Sequence, residues 1–206
     1  AKLLCAAGRM ANVHDLSLEN AGLNLNDMGH ISVDEMLQTT VPHIYAAGDV
    51  IGPPSLASAS MEQGRRASCN ALGIEVGPMS KMIPSGIYGI PELSAVGMTE
   101  RQARGEQGNV LVGKARFEEI SRGQINGIRD GMLKIICDPQ GEKILGVQIV
   151  GEGATELIHI GQMAMLSNAD VDIFVESIFN FPTLAEAYRV AALSIIGQRE
   201  KHSDKY

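Results

Sequence analysis

The feature that most constrains this chain is its second half, where four short runs of strand length are followed by two apolar helical segments. Over residues 154–167 apolar side chains cover most of a helical circumference, leaving Glu156, His159 and Gln162 as a polar strip. Such a helix has to be largely buried. Over residues 183–198, Leu184, Tyr188, Ala191 and Ile195 recur on one face of a second helix. The runs at 92–98, 110–117, 132–137 and 144–150 read as strands, and the last two flank Asp138-Pro139-Gln140-Gly141. Proline and glycine preset a turn there, so a hairpin is expected. Strands followed by helices that must cover them define an α+β domain with an antiparallel sheet over residues 80–198.

The first half has another texture. Leu3 to Ala7 is apolar with no turn before it, as in a chain that starts inside or just before a strand, so a preceding segment is expected. Residues 15–33 are polar with short apolar pairs and a turn at Asn26-Asp27-Met28-Gly29, which predicts loop with a short hairpin. Val41 to Ala47 is mostly apolar, interrupted by Pro42 and His43 and closed by Gly48-Asp49. That is the pattern of a strand buried on both faces of a parallel sheet. Gly52-Pro53-Pro54-Ser55 then reads as a loop ending in a helix cap, with a helix from about Leu56 to Leu72 and Gly73 as its stop. Residues 199–206 read as a charged tail.

Composition excludes some functions. Asp and Glu outnumber Lys and Arg by 24 to 17 and no basic cluster is present, which argues against nucleic acid. No apolar stretch has bilayer length, and the first residues lack a signal peptide's apolar core, so a cytoplasmic protein without membrane contact is expected. Cys5, Cys69 and Cys137 are far apart and unpaired with the five His residues. Neither a disulfide framework nor a metal site is indicated, and each Cys is expected to pack as a small buried apolar group.

Two places carry candidate chemistry. Gly48-Asp49 puts an acceptor-only carboxylate at the carboxyl end of the expected strand, where α/β sheets bind ligands. It suits the hydroxyls of a polyol, or else it is a turn residue bonded to its own backbone. The following helix is rich in Ala, Ser and Gly, so a backbone or flat ligand can lie close. Its first turn exposes N–H groups that either stabilise an anion or are satisfied by water.

Ala6-Ala7-Gly8-Arg9-Met10-Ala11-Asn12, Thr39 through Gly48-Asp49, and Pro182-Thr183-Leu184-Ala185-Glu186 occur in the order found in pyridine nucleotide-disulfide oxidoreductases, and the resemblance spans nearly the whole chain. It implies a return strand from an NAD-binding domain over residues 1–12, with Gly8 and Arg9 at the crossing. It further implies a partial α/β FAD-binding segment over 13–79 and an interface domain over 80–198 that forms a homodimer. Asp49, beside Gly48, would hold the ribitol hydroxyls of FAD, and the backbone at Leu56 and Ala57 would face the pyrimidine edge of the flavin. Pro84 to Tyr88, Ile158 to Gln162 and Phe179 to Leu193 resemble the branch that carries hydride between NADPH and NAD through FAD, with Si-face specificity. A fragment with one wall of that site is expected to be inactive alone.

Departures from the family pattern matter equally. Disulfide-reducing members carry an acid/base His before the Pro of the last motif, and here that position is Phe181, which cannot transfer a proton. No catalytic residue is therefore expected in this chain. Thr183 to Glu186 reads as a capping box, and His159 as a hydrogen-bonded interface residue. Gly151-Glu152-Gly153-Ala154-Thr155-Glu156 imitates a dinucleotide fingerprint but places a carboxylate where Gly or Ala is needed. Two other readings stand beside this one: a dihydrolipoamide dehydrogenase-like relative that lost its His, and a non-catalytic dimerisation module.

Overall fold

The computed structural model describes residues 2–203, with side chains described through Arg199. Ala1 and residues 204–206, the end of the expected tail, lie outside the described residues. The chain divides into two compact units, residues 1–81 and 82–206.

The first unit holds one α-helix, α1 (Ala57–Ala71), and three 3-10 turns, His14–Leu16, Leu18–Ala21 and Asp49–Ile51. The hairpin expected at residues 26–29 reduces to a single antiparallel bridge, Leu25 to Ile31, with the Gly29 N–H closing on the Asn26 carbonyl. Two expected strands do not form. Residues 2–10 are exposed and irregular, and over 41–47 only Tyr45 pairs, in a bridge to Gln38. A strand buried on both faces needs a neighbour on each side, and among the described residues of this unit none exists. Pro42 also lacks an N–H for a ladder, and the Ile44 N–H instead turns back to the Val41 carbonyl at 2.9 Å.

α1 ends as its glycine predicts. Gly73 has φ +71°, and the N–H groups of Gly73 and Ile74 return to the carbonyls of Asn70 and Cys69 at 3.0 and 2.9 Å. Together they satisfy two orphaned carbonyls of the last turn.

The second unit is built on a five-stranded antiparallel sheet with the order β1-β2-β5-β4-β3. Its strands are β1 (Ser85–Ile87), β2 (Leu93–Gly97), β3 (Leu111–Arg116), β4 (Met132–Cys137) and β5 (Ile144–Val150). All four expected strands form, β1 is additional, and the Asp138–Gly141 turn joins β4 to β5 as a hairpin. The helices are α2 (Glu100–Gln107), α3 (Ser121–Asn126), α4 (Ala154–Leu166), α5 (Ile173–Glu176) and α6 (Glu186–Ser203). The sheet and helices make the α+β architecture.

α4 and α6 lie on one sheet face. Leu133, Ile135, Cys137, Val147 and Ile149 from the strands meet Ile158, Tyr188, Ala191 and Ile195 from the helices in one buried cluster. Each large side chain buried there contributes roughly 1.5–3 kcal/mol. α2 covers part of the opposite face, where Ala103 packs with Val110, Ile136 and Leu145. The remainder of that face is a groove of about 360 Å³ lined by Ile87, Leu93, Ala95, Met132, Lys134 and Val150 among others.

Three further expectations are corrected. The charged segment after Gln198 continues α6 through Ser203, because a helix already nucleated on a buried face gains one hydrogen bond per added residue and needs no apolar period. α4 is buried on one face only, with Met163 and Leu166 exposed beside His159. Of the cysteines, Cys137 alone is buried, Cys69 is half-buried and Cys5 is exposed in the irregular opening segment. Burial pushes the Cys137 thiol up to about 12.

Candidate cofactor site

The site residues meet in the first unit where a tight turn abuts the start of α1. The Asp49–Ile51 turn lies between Gly48 (φ +84°) and Gly52 (φ +93°), backbone conformations that side chains resist. Space for a side chain is tight as well. A Cβ on Gly48 would stand 3.2 Å from Ser60 Oγ of α1, and one on Gly52 would stand 2.9 Å from His30 Nδ1. The buried Gln63 side chain fastens the turn to the helix by accepting the Gly48 N–H at 2.7 Å. His30 Nδ1 is buried against the turn and has no hydrogen-bond partner.

Asp49 projects from this turn with its side chain 48% exposed, and Oδ2 accepts a hydrogen bond from Arg9 Nη1 at 2.8 Å. Arg9 Nη2 donates to the Ser55 carbonyl at 3.1 Å, so one guanidinium joins the Asp49 turn to the loop before α1. The cap expected at Ser55 is not made. The extended residue before α1 is Leu56 (φ −123°, ψ 137°), which has no side-chain acceptor to offer. The N–H of Leu56 donates to the Pro54 carbonyl at 2.9 Å, whereas Ala57 and Ser58 are exposed at the uncapped first turn. The structure thus brings Gly48, Asp49, Leu56 and Ala57 to one place, and of the two backbone N–H groups expected to face a ligand, the one at Leu56 is already engaged.

Sequence reasoning missed Arg9, Gln63 and His30 as parts of this site. Gln63 carried no signal of its own, since Glu62, Arg65 and Arg66 are equally long polar neighbours in the same helix. Farther along α1, Glu62 bonds Arg65 and Arg66, each within 2.7 Å. Chiefly the Arg65 hydrogen bonds, against the opposing effect of desolvation, hold its carboxyl down to about 2.

In the second unit Phe181 is 72% exposed, so a ring and not a proton donor is presented there. The capping box at Thr183 is half made. The Thr183 N–H donates to Glu186 Oε2 at 3.4 Å, while the Thr183 hydroxyl donates back to the Asn180 carbonyl at 2.8 Å. His159 is exposed and its Nδ1 bonds Gln162 Oε1 at 2.8 Å. At the imitation fingerprint, Glu92 Oε2 accepts from the Thr155 N–H and hydroxyl at 3.1 and 2.8 Å. A carboxylate already holds the start of α4, where a phosphate would otherwise bind.

The chain thus carries a glycine-bounded carboxylate turn against an uncapped helix in its first unit and an antiparallel sheet covered by helices in its second. The chain belongs to the pyridine nucleotide-disulphide oxidoreductase family: the model for the family's dimerisation domain matches residues 83–192, and a second model described by the family name alone matches residues 1–64. Among its relatives are the soluble pyridine nucleotide transhydrogenases of Mycobacterium bovis and of an Enterobacter species. They are 45% and 47% identical in alignments of 196 positions that cover 95% and 93% of this chain. The chain spans 42% of the length of each. Similar solved structures include the HOCl-induced flavoprotein disulfide reductase RclA of Escherichia coli, with 30% identity, TM-score 0.86 and coverage of 91% of this chain and 44% of that one. LpdA of Mycobacterium tuberculosis has 28% identity, TM-score 0.81 and coverage of 89% and 40%.

Proposed function

We propose that this chain is part of a cytoplasmic flavoprotein that moves hydride between NADPH and NAD through FAD, with Si-face specificity, and that it supplies one wall of the FAD site and the homodimer interface. The observation that carries the reading is the Asp49 turn, where a half-exposed carboxylate stands beside the uncapped first turn of α1. These residues fit FAD. Asp49 offers a carboxylate oxygen to ribitol hydroxyls, and the Ala57 end of α1 offers the positive pole of its dipole to an edge where negative charge develops, an effect of roughly 0.3–2 kcal/mol. The tight turn at Gly48 lets the backbone approach closely. When bound, FAD supplies the two-electron chemistry that links the two nucleotides. The chain's residues bind and orient it. Phe181 stands where disulfide-reducing members of the family carry an acid/base His, and a ring that cannot move a proton favours hydride exchange over disulfide chemistry.

Identity of 45–47% to proteins named as transhydrogenases supports the choice of branch. A lipoamide dehydrogenase-like activity is the second reading, favoured by the structural likeness to a flavoprotein disulfide reductase. No helix among the described residues is long and apolar enough to cross a membrane.

Steady-state assay of the longer flavoprotein with NADPH and a thionicotinamide acceptor, and in parallel with disulfide substrates, tests this. Nucleotide-to-nucleotide transfer is expected, unchanged beyond a few-fold in Phe181→Tyr because no transition-state interaction is removed. Disulfide reduction by the unsubstituted protein would overturn the transhydrogenase reading in favour of the second.

A further inference from the structure

Arg9 and Asp49 are 40 residues apart in sequence, and among the described residues Arg9 is the only side chain that bonds the Asp49 carboxylate. The fork of its guanidinium is used at both tips. Nη1 takes Asp49 Oδ2 at 2.8 Å and Nη2 takes the Ser55 carbonyl at 3.1 Å, across the Gly52-Pro53-Pro54 loop that separates the two acceptors. Asp49 Oδ1 receives no hydrogen bond from the described residues. One carboxylate oxygen is therefore spent on orientation and the other is left open. The pair is also neutral, so the carboxylate adds no net negative charge beside the uncapped start of α1.

We propose that Arg9 is a positioning residue of the cofactor site. It fixes the rotation of the Asp49 carboxylate so that Oδ1 is presented as the acceptor for a polyol hydroxyl, and it ties that acceptor to the loop leading into α1. This rests on the reading of the site as an FAD site. A lysine cannot substitute fully, because an ammonium is a point charge without the planar fork that reaches two acceptors in fixed geometry. With side chains 69% and 48% exposed, the pair contributes little to folding, so a loss of cofactor affinity and a loss of fold are separable.

The test uses the longer flavoprotein, stripped of flavin and titrated with FAD by fluorescence, together with thermal unfolding of the apoprotein. Arg9→Gln should weaken FAD binding by about tenfold or more, as expected for loss of a hydrogen bond to a charged group. Arg9→Lys should recover part of this, and the apoprotein midpoints should match the parent's. Because Arg9 acts through Asp49, the double variant Arg9→Gln, Asp49→Asn should bind no more weakly than Asp49→Asn alone. Unchanged FAD affinity in Arg9→Gln, additive losses in the double variant, or a lowered apoprotein midpoint in Arg9→Gln would each overturn the positioning role while leaving the proposed function intact. A parent that holds no FAD would overturn the proposed function and this role with it.

Discussion

Tyr188 shows how a single side chain of α6 organises a neighbouring helix. It is fully buried, its hydroxyl donates to the Leu157 carbonyl at 2.8 Å and accepts the Gly161 N–H at 3.1 Å, and its ring lies 4.8 Å from that of Phe174. Leu157 and Gly161 are four apart in α4, so the phenol engages both ends of one helical rung. Burial raises its pKa above that of an ordinary phenol and keeps the hydroxyl able to donate. Gly161 is required, since a Cβ there would stand 2.9 Å from both the Tyr188 hydroxyl and Val147. Tyr188→Phe should cost roughly 0.5–1.5 kcal/mol by removing the hydroxyl's two hydrogen bonds while the Leu157 carbonyl and Gly161 N–H remain i, i+4 neighbours in α4, read as a lower urea midpoint at unchanged slope. The sequence placed Tyr188 on the apolar face of its helix, because periodicity reports which way a side chain points. It was silent on the hydroxyl's partners, which lie 31 and 27 residues away, and equally on the Arg9–Asp49 pair. Such contacts are made by tertiary approach and leave no local spacing.

At the scale of elements, legibility followed how much of each element's reason lay within itself. β2 to β5 could be read because alternating or continuous apolar runs bounded by turns describe strands whose partners lie in the same chain. The run at 41–47 has the same texture, yet with no neighbouring strand in its unit it stays a turn with one bridge. α2 was missed although it carries a capping box, Thr99 with Gln102, because only Ala103 of its eight residues is buried and its charges mask any stripe. The packing of α6 on β3 depends on Gly113, where a Cβ would fall on the Ala191 carbonyl and 2.9 Å from Ile195 Cγ1. Neither a strand glycine's need for space nor its partner is visible in a pattern of apolar residues. Gly113→Ala should lift α6 from the sheet and destabilise the second unit by about 1–3 kcal/mol, the usual range for overpacking. Chemical unfolding followed by far-ultraviolet circular dichroism would show it, and a stability equal to the parent's would disprove the close approach.

For the whole molecule, the second unit leaves Ile87, Ile90, Ile178, Phe181 and Leu193 large and exposed, and a second copy that covered them would remove that apolar surface from water. Sedimentation of the chain at roughly tens of micromolar, within the ordinary range of dimer affinities, should show a dimer, and a monomer there would count against the homodimer. The order of strands bears on how such a chain reaches its fold. β3, β4 and β5 follow one another as a meander, whereas Val96 of β2 must find Val147 of β5 across both intervening strands and their connections. Pairings distant along the chain form late. Until β2 arrives, the inner edge of β5 stands open, and the β2 of another copy satisfies it as well as the chain's own. Refolding at higher protein concentration is therefore expected to raise the share of molecules that exchange β2, read as a larger dimer fraction by size-exclusion chromatography.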